Sequence, residues 1–291
     1  MEYIHYKVAG HSFLVETDKP DEILSFLPSY EPFRVEGSVE HPLFVLTIGD
    51  RCVKYGEEIN RFEWDGSGCV IYRGESGYTF ELFPFNSDDS YLMRANPDFT
   101  EITVTLYPDS AVNAFVLNNF LMMTYAFASA SLNTLMIHAS VVRKGGRGYL
   151  FLGTSGTGKS THSRLWMENI AETDLLNDDN PIVRIVDGTP IVFGSPWSGK
   201  TPCYRNLSAP IGAFVKLKQA PENKIERLKP VQGFAQVLSS CSVMKWDERI
   251  YDGICDTISK VSMKVPVYQL ECLPNAEAAE LSYNTIHSWA R

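Results

Sequence analysis

The sequence predicts an α+β protein in two parts: a β-rich N-terminal module over 1–107 and an α/β phosphate-loop domain over 108–291. Three observations predict this. Gly153-Thr154-Ser155-Gly156-Thr157-Gly158-Lys159-Ser160 stands between an apolar run, Gly148–Leu152, and a helix-like run from Ser160 to Ile170. Leu165, Trp166 and Ile170 can share one face of that helix. Strand, glycine-rich loop and helix in that order are what a phosphate-binding loop requires. Residues 1–107 carry short alternating or β-branched runs with little helix, and beyond them strand-like and helix-like runs alternate.

In the first part the strand signals are Tyr3–Val8, Ser12–Glu16, Leu43–Ile48, Gly68–Tyr72, Tyr78–Pro84 and Glu101–Leu106. Turn chemistry separates them at Gly49-Asp50, Asp65-Gly66 and Asn86-Ser87-Asp88-Asp89, so an antiparallel arrangement is expected. A helix from about Asp109 to Ala130 opens the second part, with Asp109-Ser110 as its cap region. A strand over Met136–Val142, a turn over Lys144–Gly148 and the strand before the loop follow. Leu175-Leu176 precede Asn177-Asp178-Asp179, and Ile182–Val186 and Pro190–Phe193 flank the turn Asp187-Gly188. Later elements are a strand over Ile211–Leu217, helices over Phe234–Ser239 and Asp247–Ser259, a strand over Val265–Glu271 and a closing helix over Asn275–Ser288.

Composition narrows the partners. Apolar residues make up 44% of the chain and the net charge is −9. Nucleic acid is therefore not expected as a partner, because phosphate neutralisation needs a basic face. Six scattered cysteines without a Cys-x-x-Cys pair read as reduced, mostly buried small hydrophobes of a cytoplasmic protein, not as a zinc site or disulfide framework. The first residues lack a basic segment followed by an apolar one, so no signal peptide is expected. Ala111–Val142 contains no charged residue, but Asn and Thr interrupt it repeatedly; it reads as a buried helix, with no membrane partner.

The loop carries the chemistry. Its glycines let backbone N–H groups close around an anionic phosphate, and the helix N-terminus adds its dipole. Lys159 is expected to reach the β/γ-phosphates and Ser160 to ligate Mg²⁺, so a nucleoside triphosphate or something closely similar is the expected ligand. Thr161 reads as a helix-start residue in reach of a phosphate, and His162 as a surface helix residue. About eighteen positions after the loop, Asp178 and Asp179 can divide two tasks, metal binding and acceptance of a hydroxyl proton. Taken without the loop, the same pair reads as an acidic turn before Pro181. The Gly194–Pro202 segment reads either as a mobile loop over an acceptor site, with Lys200 or Arg205 countering phosphate charge, or as a surface loop packed by Trp197.

Ile137–Val142, Leu150–Thr161 and Leu176–Asp179, in this order and at this short spacing, resemble the catalytic core of the HPr serine kinase/phosphorylase family. They are equally similar to the related ATP-dependent phosphoenolpyruvate carboxykinases. The resemblance covers His138 to Asp179 and extends in fold to 108–291; residues 1–107 have no such likeness. It implies a kinase that moves the γ-phosphoryl of Mg·ATP to a hydroxyl of a protein, peptide or small alcohol. In that reading Gly153–Gly158 cradle the phosphates, Lys159 binds them, and Ser160 with Asp179 coordinates Mg²⁺. Asp178 is the base, and His138, otherwise a core histidine, tunes it. Arg205 stands roughly where the kinases carry an Arg-Gly-rich signature, which is otherwise missing. Homo-oligomers occur in the family. The alternatives are carboxykinase-like or phosphorylase chemistry, and a nucleotide-binding module without catalysis. The chain lacks the room for a carboxykinase's extra substrate lobe.

Overall fold

Alternating apolar side chains in the first hundred residues build one eight-stranded sheet. The computed structural model describes residues 1–49, 52–64, 66–199 and 201–288, and it divides the chain into two units, Met1–Ser129 and Ala130–Arg291. The first unit holds β1 (Glu2–Val8), β2 (His11–Thr17), α1 (Pro20–Phe26), β3 (Val45–Ile48), β4 (Glu57–Trp64), β5 (Ser67–Gly74), β6 (Gly77–Phe83), β7 (Tyr91–Ala95), β8 (Glu101–Val104) and α2 (Asn113–Ala128). The sheet order is β1-β2-β3-β8-β7-β6-β5-β4.

Two expectations change here. The sheet is mixed, because β3 runs parallel to both β2 and β8. Parallel neighbours need long crossovers. α1 and a following 3₁₀ turn, Pro28–Phe33, lie between β2 and β3, and the β4–β7 meander lies between β3 and β8. The unit boundary also falls after Ser129 instead of near residue 107. The α2 helix packs into the first unit: Phe127 meets the rings of Phe80 and Phe99, and the Tyr125 hydroxyl donates to the Val8 carbonyl at 3.0 Å. Its uncharged sequence is explained by that burial. No helix among the described residues is long and apolar enough to cross a membrane.

The second unit contains β9 (Thr134–Met136), β10 (Ala139–Lys144), β11 (Arg147–Leu152), α3 (Lys159–Asn169), β12 (Asp174–Asp179), β13 (Ile182–Val186), β14 (Thr189–Phe193), β15 (Ser208–Gln219), β16 (Lys224–Arg227), α4 (Pro230–Leu238), α5 (Glu248–Ser262), β17 (Val267–Cys272) and α6 (Ala276–Ser288). Its sheet runs β12-β10-β11-β15-β14-β13-β9, with β17 also on β15 and β16 on β17. β15 joins the two halves of this sheet. Ser208–Pro210 pair with β14, while later residues run parallel to β11 and β17. The β10–β11 hairpin turns on Gly145 and Gly146, with φ of 58° and 74°, the left-handed pair that a two-residue hairpin favours.

The core of this unit lies on one face of the sheet, under α3 and α6. Phe151, Val215, Tyr268, Trp166 and Ile286 pack there. Expected as a surface residue, His162 instead belongs to this core. It is 3% exposed, packs edge-on against Phe151 and lies 3.2 Å from the Ser282 hydroxyl. Ser282 also accepts from the Trp166 indole at 2.9 Å. The α3 residues Ser163 and Trp166 face the sheet, and His162 fills the seam toward α6.

Burial alone pushes His162 down to about 4, so the folded protein holds it neutral. The unfolded chain protonates it near 6.5, so the contribution is whole above that pH and is lost as pH falls toward 4. The loss is about 3 kcal/mol, the free-energy equivalent of lowering the group from its ordinary value to about 4. Urea unfolding between pH 7 and 4.5 checks this: wild type should lose stability over that range with a steeper slope than His162→Phe.

Candidate functional site

The glycine-rich loop Gly153–Ser160 lies between β11 and α3, at the carboxyl end of the parallel strands, where open α/β sheets place their ligands. Gly156 and Gly158 adopt φ of 80° and 104°, and a Cβ built on either would project into open space. The loop therefore presents a cradle lined by main chain, and side chains at these two positions would strain it and fill it. Thr157 closes a turn by donating its N–H and hydroxyl to the Thr154 carbonyl, at 3.2 and 2.8 Å. Gln219, at the end of β15, donates to the Gly156 carbonyl at 3.2 Å. Ser160 is exposed at the start of α3, and Thr161 is half-buried beside it.

Lys159 is 9% exposed and makes three contacts. Its Nζ lies 3.0 Å from the Gly153 carbonyl, 3.3 Å from that of Thr154 and 2.7 Å from His138 Nε2. An ammonium has three protons and no acceptor, so Nε2 must accept and the ring proton sits on Nδ1. Nδ1 then donates to Asp179 Oδ1 at 3.0 Å. The other oxygen, Oδ2, accepts from the Asn180 amide at 2.7 Å. Burial lowers the Lys159 pKa, and the Asp179 and then the Asp178 carboxylates oppose that shift.

Local irregularities bring these groups together. Instead of one strand over Met136–Val142, the chain leaves the sheet at Ile137-His138, between β9 and β10. Ile137 N–H still donates to the Pro181 carbonyl at 3.2 Å, continuing the β9–β13 pairing, but His138 N–H turns to the Ser240 carbonyl at 2.7 Å. In β12 the register slips opposite Val141 and Val142, which leaves Leu176 as an extra residue. Such a bulge re-aims the side chains beyond it. Leu175 packs toward the core under α3, and three residues later Asp178 pairs with Ser140 on that same face. Ser140 marks the face by its 2.6 Å contact with Ser163 of α3.

The two acids consequently diverge. Asp178 is 3% exposed on the α3 face, and no described side chain hydrogen-bonds its carboxylate. Asp179 pairs with Ala139 on the opposite face, at the level of Leu152, with a backbone φ of 154° that L-residues rarely adopt. Both lie within the end of a strand and not in a turn. Among the described residues, no three His, Cys, Asp or Glu side chains gather to hold a metal. Ser160 and Asp179 offer the hard oxygen donors that Mg²⁺ takes when substrate phosphates complete its shell.

The Gly194–Pro202 segment is fixed on its described side. Trp197 is buried, and the Asn177 amide donates to the Trp197 carbonyl at 3.2 Å and to Ser195 Oγ at 3.2 Å. Gly199 N–H and Ser198 Oγ both donate to the Asp178 carbonyl. The residues up to Gly199 therefore form a wall behind β12; Lys200 lies outside the described residues.

Arg205 does not join the site. It donates to Asp174 Oδ2 at 2.8 Å and to the Leu175 carbonyl, at the opposite end of β12 from Asp178. Four residues of strand amount to about 13 Å. Arg143 grips the same carboxylate through Nε at 2.9 Å and Nη2 at 2.5 Å. Arg143 and then Arg205 hold the Asp174 carboxyl below its usual range. This cluster fixes the start of β12.

Lys216 was not singled out from sequence. It pairs with Leu152, immediately before the loop, on the strand beyond β11. A lysine within the apolar run Ala213–Leu217 was a visible signal, but its neighbour across the sheet was not. No protein-family model matches the chain, and no curated protein matches it.

Arg205→Ala should lower stability by about 1 kcal/mol, the scale for a partly exposed ion pair with one main-chain bond, and leave ligand affinity within about twofold. Chemical denaturation and calorimetric titration on the same variant check it. A tenfold loss of turnover at unchanged stability would return Arg205 to the site.

Proposed function

We propose that this chain is an ATP-dependent phosphotransferase of the HPr serine kinase/phosphorylase and carboxykinase type. It transfers the γ-phosphoryl of Mg·ATP to a hydroxyl of a protein, a peptide or a small alcohol. The observation that carries this reading is the contact chain from the loop carbonyls through Lys159 and His138 to Asp179, beside the buried Asp178.

Backbone N–H groups around Gly156 and Gly158 receive the phosphates, aided by the N-terminus of α3. Lys159 exchanges the Gly153 and Thr154 carbonyls for phosphate oxygens, which are stronger acceptors for an ammonium. Its desolvated charge then counters the charge that develops on the transferred group. Ser160 and Asp179 would hold Mg²⁺, which would supply neutralisation of phosphate charge. The Asn180 amide is a neutral donor on Asp179 Oδ2 and gives way to a cation. His138 keeps Oδ1 oriented through Nδ1–H. Asp178, with no hydrogen bond to its carboxylate from a described side chain, retains the lone pairs to accept the proton of the attacking hydroxyl.

Mg·ATP at about a hundred times its dissociation constant should stabilise the native state by about 2.7 kcal/mol, read by thermal unfolding. Lys159→Ala should abolish that shift. Asp178→Asn should keep it while lowering labelled-phosphate transfer about a hundredfold or more, the usual scale for a general base. Binding that persists with no transfer to any hydroxyl substrate, in wild type as in Asp178→Asn, would favour a binding module. No shift in folded wild-type protein would sink the nucleotide reading.

A further inference from the structure

Lys216 has no assigned role, and its place is unusual for a lysine. In the register of β11 and β15 it stands beside Leu152, one residue before Gly153. Phe151 and Val215 face α3 and α6, so Leu152 and Lys216 face the other way. Asp179 lies on that same opposite face, two strands to the other side of β11, through Ala139 and Leu152. The backbones of Asp179 and Lys216 are thus three strand spacings apart, roughly 14 Å, with the start of the loop between them.

No described carboxylate lies within ion-pair distance of Lys216, whereas Lys218, two residues on, pairs with Glu271 at 2.7 Å. Lys216 is half-buried, and burial lowers its pKa. Lys216 and Lys159 are both partly desolvated, and two such ammonium groups at the rim of one loop favour an anion of high charge. The end of β15 is moreover tied to the loop through Gln219 and the Gly156 carbonyl. The Lys216 strand and the cradle therefore hold a fixed relation to one another.

We infer that Lys216 is a second phosphate-binding cation of the site, contacting the terminal phosphate of a nucleoside triphosphate from the side of β11 opposite Asp179. The inference rests on the nucleotide reading above and deepens it. With Lys159 at the loop and Asp179 on the far flank, Lys216 makes the pocket select three phosphates over two. A diphosphate leaves the ammonium pair without its bridge.

Calorimetric titration of wild type, Lys216→Met and Lys216→Arg with Mg·ATP and Mg·ADP tests this. Methionine suits a half-buried strand position, and urea unfolding reports whether each variant folds. Lys216→Met should weaken Mg·ATP about tenfold and Mg·ADP less than threefold, the scale of one charge-assisted hydrogen bond. Without ligand it should be at least as stable as wild type, because a half-buried ammonium with no carboxylate partner is removed. Lys216→Arg should recover most of the affinity for Mg·ATP. Equal Mg·ATP affinity in wild type and folded Lys216→Met would overturn the inference while leaving the nucleotide site intact. Wild type that binds no Mg·ATP would overturn the nucleotide reading and this inference with it.

Discussion

A nearly buried ammonium must find an acceptor for each proton, and that requirement organises the second unit. Lys159 takes two acceptors from its own loop and the third from His138. The third is the demanding one, because it obliges the chain to present an unprotonated imidazole nitrogen at the carboxyl end of the sheet. Asp179 meets that demand by accepting from the other ring nitrogen, which selects the tautomer. One donor requirement thus couples the loop, the gap between two strands and the end of a third.

The surrounding irregularities serve the same constraint. A strand that ran unbroken through Ile137-His138 would alternate its side chains across the sheet and commit both main-chain groups to the ladder. Leaving the ladder frees the histidine, and the Ser240 carbonyl accepts from the main-chain N–H that would otherwise go unpaired. The bulge at Leu176 changes the parity of β12, so Leu175 completes the core while Asp178 reaches the α3 face. Asn177 clamps the Ser195–Trp197 wall, and the Arg143–Asp174–Arg205 cluster anchors the strand's other end. β12 is therefore held along its length, with its strained residue at the tip.

The first unit answers to a different rule. Its meander strands pair as neighbours in sequence, but β3 enters the middle of the sheet in parallel. The charged edge strand β4 was not legible as a strand, because its alternation Glu57-Glu58-Ile59-Asn60-Arg61 offers little apolar periodicity. At an open edge such charge is suited to prevent further pairing. The short α1 is illegible in the sequence for a related reason: its seven residues carry too few turns for a periodic signal.

The sequence by itself determined the elements whose signal is local. The loop from Gly153 to Ser160, its flanking strand and helix, the turn at Gly145-Gly146 and the adjacency of Asp178 with Asp179 all follow from neighbours along the chain. What depended on distant pairing was decided by the tertiary structure alone. Nothing near Arg205 announces Asp174, nothing near His162 announces Ser282, and nothing near Lys216 announces Leu152. The direction in which each acid points also came from a register slip between strands more than thirty residues apart. Local backbone preferences act over a few residues, whereas burial and charge are set by whatever the sheet order brings alongside.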